Sequence, residues 1–83
     1  MKISNVLIET IDIKKIASGI DDFKAKTGEQ PSYIIMNNST AFLLKRTNGI
    51  EVEWNPTTYA LLSYKGIKIA ISEGLKNGEI EIL

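Results

Sequence analysis

The sequence predicts an α+β fold: one small domain, residues 1–83, with two helices packed on a mostly antiparallel sheet of four or five strands. Three observations point there. Residues 12–27 carry apolar side chains at intervals of three and four, the signature of an amphipathic helix. A strand-like run and a second, shorter helical segment follow. Two stretches in the second half, residues 50–54 and 67–71, alternate apolar and polar, and Glu79–Leu83 closes the chain in the same way.

In residues 1–9, Ile3, Val6, Leu7 and Ile8 fit a short strand near the end of the segment better than a helix. In the main helix Asp12 is placed to cap the N-terminus. Ile13, Ile16, Ala17, Ile20 and Phe23 share one face, while Lys14, Lys15, Ser18, Asp21 and Asp22 fall on the other. Lys24 borders the apolar stripe, where its stem can cover apolar surface. Gly19 is out of place inside a helix, at up to about 1 kcal/mol against Ala. Gly28 suits the position just past the helix end, and Pro31 prevents continuation. The continuous run Tyr33–Met36 predicts a central strand buried on both faces. Asn37, Asn38 and Ser39 offer turn and cap chemistry, and Thr40–Arg46 reads as a short helix closed by Asn48-Gly49.

Ile50–Trp54 reads as a half-exposed strand, broken at Asn55-Pro56. Thr57–Tyr64 fits a loop, a helical turn or a strand equally well. Lys65-Gly66 makes a turn. Ile67, Ile69 and Ile71 share one face of the next strand. Asn77-Gly78 is a strong tight-turn signal.

Composition excludes more than it suggests. Ten basic and ten acidic residues give zero net charge, which disfavours a general nucleic-acid binder and a polybasic membrane anchor. It also removes one barrier to self-association. A chain of this size buries only about 60–65% of the surface its unfolded form exposes, which leaves association plausible. With no Cys and no His, disulfides, Cys-rich zinc sites, thiol nucleophiles, Ser-His-Asp triads and His proton shuttles are impossible. No apolar run is long enough for a membrane span, and the N-terminus does not read as a signal peptide.

The remaining constellations are weak. Glu51 and Glu53 project from one strand face, where two carboxylates could do acid–base work or hold a hard cation. The wet face of a strand is the simpler reading, and Glu79 and Glu81 repeat it. Asp21 and Asp22 diverge by about 100° on a helix and cannot converge on one ion. The glycines form no phosphate cradle. Trp54, beside Asn55-Pro56 and near Tyr59, reads either as an interface anchor or as satellite core beneath a loop, with a lean to packing. Tyr33 and Tyr64 read as strand and turn residues. A stacking platform for single strands would want Lys or Arg around Trp54, where the sequence has Glu51 and Glu53.

The order of motifs carries a resemblance. A helix ends in Thr27-Gly28. A strand, Gln30-Pro31-Ser32-Tyr33-Ile34-Ile35-Met36-Asn37, closes in Met-Asn. A helix containing Leu43-Leu44 leads to Asn48-Gly49. Leu61-Leu62-Ser63-Tyr64-Lys65-Gly66-Ile67-Lys68-Ile69-Ala70-Ile71-Ser72 follows, and Leu75-Lys76-Asn77-Gly78 precedes the last strand. This order resembles the axial (A) domain of the tailed-phage major capsid protein, the shell fold shared with encapsulins. That family often shows a P-x-x-(I/V)-(I/V)-M-N strand, a helix, an N-G turn, a G-(I/Y)-P-(V/I)-x-(V/I)-S strand and a closing P-x-G hairpin. The likeness covers most of this chain but a minority of a capsid subunit. Nothing corresponds to the spine helix, peripheral domain, extended loop or N-terminal arm, and Lys68 stands where the family commonly has proline.

The resemblance implies a non-enzymatic, phage- or prophage-derived structural or interaction protein with an axial-domain-like fold, unable to build a shell alone. Its expected partners are its own copies or phage capsid subunits. No nucleic acid, membrane, cofactor, metal or small-molecule substrate is expected, and the expected location is the host cytoplasm or the virion. In the family this domain gathers about the five- or six-fold axes. The corresponding segment here, Asn48 to Tyr59, offers Asn48, Gly49, Trp54, Asn55, Pro56 and Tyr59 as contact residues. Two other readings stand beside it. One is a small regulatory or nucleic-acid-associated module of phage origin, which the charge balance disfavours. The other, ranked last, is a metal-dependent activity using Glu51, Glu53 and a Lys or Tyr.

Overall fold

The computed structural model describes residues 2–4, 13–47, 52–58 and 60–83. Among these, two helices and six strands occur in the order β1 (Lys2–Ser4), α1 (Ile13–Thr27), β2 (Tyr33–Met36), α2 (Asn38–Thr47), β3 (Val52–Trp54), β4 (Leu61–Tyr64), β5 (Ile67–Ile71) and β6 (Glu79–Ile82). The expected α+β class holds. The sheet has six strands rather than four or five, ordered β1-β6-β2-β5-β4-β3. Every neighbouring pair is antiparallel except β2 and β5, which run parallel with Ile34 beside Ile69 and Met36 beside Ile71.

Strand β2 is central, as its apolar run predicts, but it is covered on one face only. Ile34 and Met36 are fully buried, whereas Ile35 is half-buried and Tyr33 is exposed. The buried pair joins Ile80 and Ile82 of β6, Ile67 of β5, Tyr64 of β4, Ile16 and Ile20 of α1, and Ala41 and Leu44 of α2 in one cluster. Both helices therefore lie on the same face. The open face takes the opposite parity: Glu79, Glu81, Lys68 and Glu53 alternate with the buried positions. The acidic positions on β3 and β6 that the structure describes are thus on the wet side of the sheet, and Glu51 lies outside the described residues.

Helix α1 follows its pattern. Ile16 and Ile20 are buried and Phe23 half-buried, while Lys14, Lys15, Ser18, Asp21 and Asp22 are exposed. Gly19 marks the close approach of helix to sheet. A Cβ there would lie 3.0 Å from Ile82 Cδ1 and 3.3 Å from Ile3 Cδ1. The helix ends as expected: Gly28, at φ +74°, donates its N–H to the Lys24 carbonyl at 2.8 Å. The expected cap Asp12 and most of the expected N-terminal strand lie outside the described residues. Of the residues expected there, Ile3 lies in the described strand Lys2–Ser4.

Two turns show what a local signal can decide. Lys65 and Gly66 both have positive φ, 50° and 81°, the type I′ geometry whose twist suits a two-residue hairpin. They join β4 to β5, with Tyr64 opposite Ile67. Asn77-Gly78 also turns tightly, and the Glu79 N–H donates to the Lys76 carbonyl at 3.0 Å. The tight turn is there as expected, but the closing hairpin that the resemblance implies is not, because β2 lies between β5 and β6.

Strand β4 carries a bulge. Glu53 pairs with Ser63 and Trp54 with Leu61, so Leu62 is the extra residue. The slip lets Leu61 and Tyr64, three apart, both bury on the core side, and Leu62 is exposed. Tyr64 is the largest fully buried side chain among the described residues, a core residue rather than a turn residue.

Candidate functional site

Helix α2 begins at a buried hydrogen-bond network. Asn37 Oδ1 accepts from the Thr40 N–H at 2.8 Å, the bond of an N-cap. It also accepts from Thr40 Oγ1 at 2.7 Å. Asn37 Nδ2 donates to the Leu75 carbonyl at 3.2 Å and to Asn77 Oδ1 at 2.7 Å. Thr40 Oγ1 in turn accepts from the Gly78 N–H at 2.9 Å. One buried amide thus fixes the start of α2 and clamps the turn before β6. Nearby, the Asn38 N–H donates to Glu73 Oε1 at 3.1 Å, which sets a carboxylate at the positive end of the helix.

The run Ala41-Phe42-Leu43-Leu44 is too broad for one face of a helix. Ala41 and Leu44 face the core; Phe42 points out and is 59% exposed. On the sheet side the apolar row of β5 loses its cover along its length: Ile67 is buried, Ile69 half-buried and Ile71 42% exposed. Between these lies an open groove of about 620 Å³, lined chiefly by Ala41, Phe42, Lys45, Ala60, Leu61 and Ile71. Its lining is largely apolar, with Lys45 within it and further charged groups on the same helix and beside its first turn. Lys45 and Arg46 occupy the last turn of α2, with the Arg46 guanidinium carbon 5.8 Å from the Phe42 ring centre. Glu73 stands at the first turn.

Of the six contact residues expected from sequence, Asn48, Gly49 and Tyr59 lie outside the described residues. Trp54 sits on the core side of β3 at the sheet edge, 37% exposed, with Lys45 Nζ 3.8 Å from its ring centre. This cation–π contact joins it to α2, which favours the packing reading. Asn55 is occupied in shaping its own loop. Its Oδ1 accepts from the N–H groups of Thr57 at 2.8 Å and Thr58 at 3.2 Å, and its N–H donates to the Ala60 carbonyl. Pro56 is exposed in that loop.

The groove is therefore centred on residues that the sequence reading left out of its contact set, Phe42 and Ile71. One signal for Phe42 was present: four consecutive apolar residues on a short helix oblige one of them to face water. Ile71 gave no signal, because its exposure depends on where α2 stops covering the sheet. Among the described residues no group of three or more Asp, Glu, His or Cys could hold a metal ion, and no helix is long and apolar enough to cross a membrane.

Fold and groove together define a small α+β domain with a largely apolar surface groove. Compared with protein-family models, curated proteins and solved structures, the chain matches none.

Proposed function

We propose that this chain is a non-enzymatic structural or interaction protein of phage or prophage derivation that works by protein–protein association, through its own copies or through capsid subunits. The observation that carries the reading is the α2 groove. A Phe that is 59% exposed and an Ile that is 42% exposed line one apolar concavity. Clustered apolar surface of this kind is what association surfaces use. The order of sequence motifs that resembles a capsid axial domain supports the choice of partner, and zero net charge leaves no long-range repulsion against self-association.

The test is co-expression with phage capsid subunits followed by size exclusion with light scattering, for the natural chain and for Phe42→Asp. Association with capsid subunits or with itself, lost in the variant, is the expected result. A chain that stays monomeric at every concentration and co-elutes with no capsid subunit removes the reading. A salt-dependent mobility shift with DNA or RNA would replace it with the nucleic-acid module.

A further inference from the structure

Asn38, Phe42 and Arg46 are spaced four apart on α2, so they line one stripe of the helix. Phe42 is the midpoint of that stripe, about 6 Å along the axis from each end residue. The ends carry opposite charge. Arg46, with Lys45, supplies cations in the last turn. At the first turn the Glu73 carboxylate is held to the Asn38 N–H. A surface with an apolar centre, cations toward one end of the helix and an anion toward the other is complementary to itself under a two-fold rotation. Few other occupants match it as well. An acidic segment would meet Glu73, and a basic one would meet Lys45 and Arg46.

We infer that the groove is filled by a second copy of this chain, in a two-fold dimer whose α2 helices lie antiparallel, Phe42 against Phe42 of the second copy, with Arg46 of each copy facing Glu73 of the other. The inference rests on the reading of this groove as an association surface. The rotation buries both Phe42 rings over the Ala41 and Ile71 surfaces and opposes the two helix dipoles. Lys45 stays over Trp54, so the contact asks no rearrangement of the packing beneath it.

Sedimentation equilibrium over a wide concentration range tests the dimer, with thermal melts followed by circular dichroism as the check on folding. The natural chain is expected to show a concentration-dependent dimer, and Phe42→Asp a monomer that melts like the parent diluted below its dimer range. Arg46→Glu and Glu73→Arg, each acting at two symmetry-related places, should each weaken the dimer about ten-fold. The double variant Arg46→Glu/Glu73→Arg should regain most of that loss. The bond from Asn38 to Glu73 within each copy is missing in both the single and the double Glu73 variants, so recovery can come only from the pair across the two-fold. A dimer indifferent to Phe42→Asp, or a double reversal no tighter than the singles, overturns the inference. So does a chain that is monomeric throughout, which leaves the capsid-subunit experiment to decide the broader reading by itself.

Discussion

The two helices lie on the same face of one sheet and are held there by different means. Helix α1 docks by shape along its length. Ile16, Gly19 and Ile20 are buried in successive turns, and the missing side chain of Gly19 lets the helix settle against Ile82 and Ile3. Helix α2 is ten residues long and is fastened at its first turn by the Asn37 network. Beyond Leu44 it runs out over the sheet edge, held by Lys45 on Trp54. The depression beside α1, lined by Ala17, Ile20 and Ile67 among others, is about 170 Å³, against about 620 Å³ beside α2. A helix pinned at one end can leave part of its flank, and the strand end beside it, open to something else.

That contrast is best broken at the pin. Asn37→Ala removes the cap and leaves the Leu75 carbonyl, the Asn77 side chain and Thr40 short of partners. It should lower unfolding free energy by about 2–4 kcal/mol, read by chemical denaturation. Asn37→Asp sharpens the point. Asp equals Asn as a cap, but it presents an acceptor to the Leu75 carbonyl and Asn77 Oδ1. A loss as large as that of Asn37→Ala would show that the donor half of the amide matters; a neutral result would reduce Asn37 to an ordinary cap. Next in size, Gly19→Leu should cost about 1–3 kcal/mol by forcing α1 off the sheet. If it is tolerated without loss, close docking is not what holds α1. Smallest, Lys45→Met keeps the stem over Trp54 and removes the charge. It should change stability by under about 1 kcal/mol while shifting the fluorescence of the single Trp. An unchanged emission spectrum would remove the Lys45 contact from the account of how α2 is held.

What was legible in the sequence was whatever local spacing determines. The stripe of α1, its stop at Gly28 and the I′ turn at Lys65-Gly66 are each written within a few residues. The centrality of β2 was legible from its unbroken apolar run; its one-sided cover was not, since that depends on where both helices lie. Strand β4 stayed ambiguous for a physical reason: the bulge at Leu62 breaks the alternation that identifies a strand. The tight turn at Asn77-Gly78 was legible, but not its neighbours, because a turn signal fixes the direction of the chain and not the strand that it pairs with. At the candidate site, Trp54 drew notice as an aromatic beside a loop, yet what covers it comes from a helix residue nine positions earlier. The groove was hardest to foresee, because it is made by the end of a helix and the end of a strand that meet only in the folded chain.

The parallel pairing of β2 with β5 bears on how the molecule comes to be made. These strands, at the middle of the sheet, are separated by about thirty residues, and closing so long a loop costs on the order of 3 kcal/mol of chain entropy before any contact forms. The pieces within that stretch, α2 and the β3–β4–β5 meander, depend on short-range contacts and have no such barrier. As they form they shorten the loop that remains. The centre of the sheet is thus expected to close after the β3–β4–β5 meander, together with β6, whose pairings with β2 and β1 span longer stretches still, and the Asn37 clamp lies at the edge of that seam.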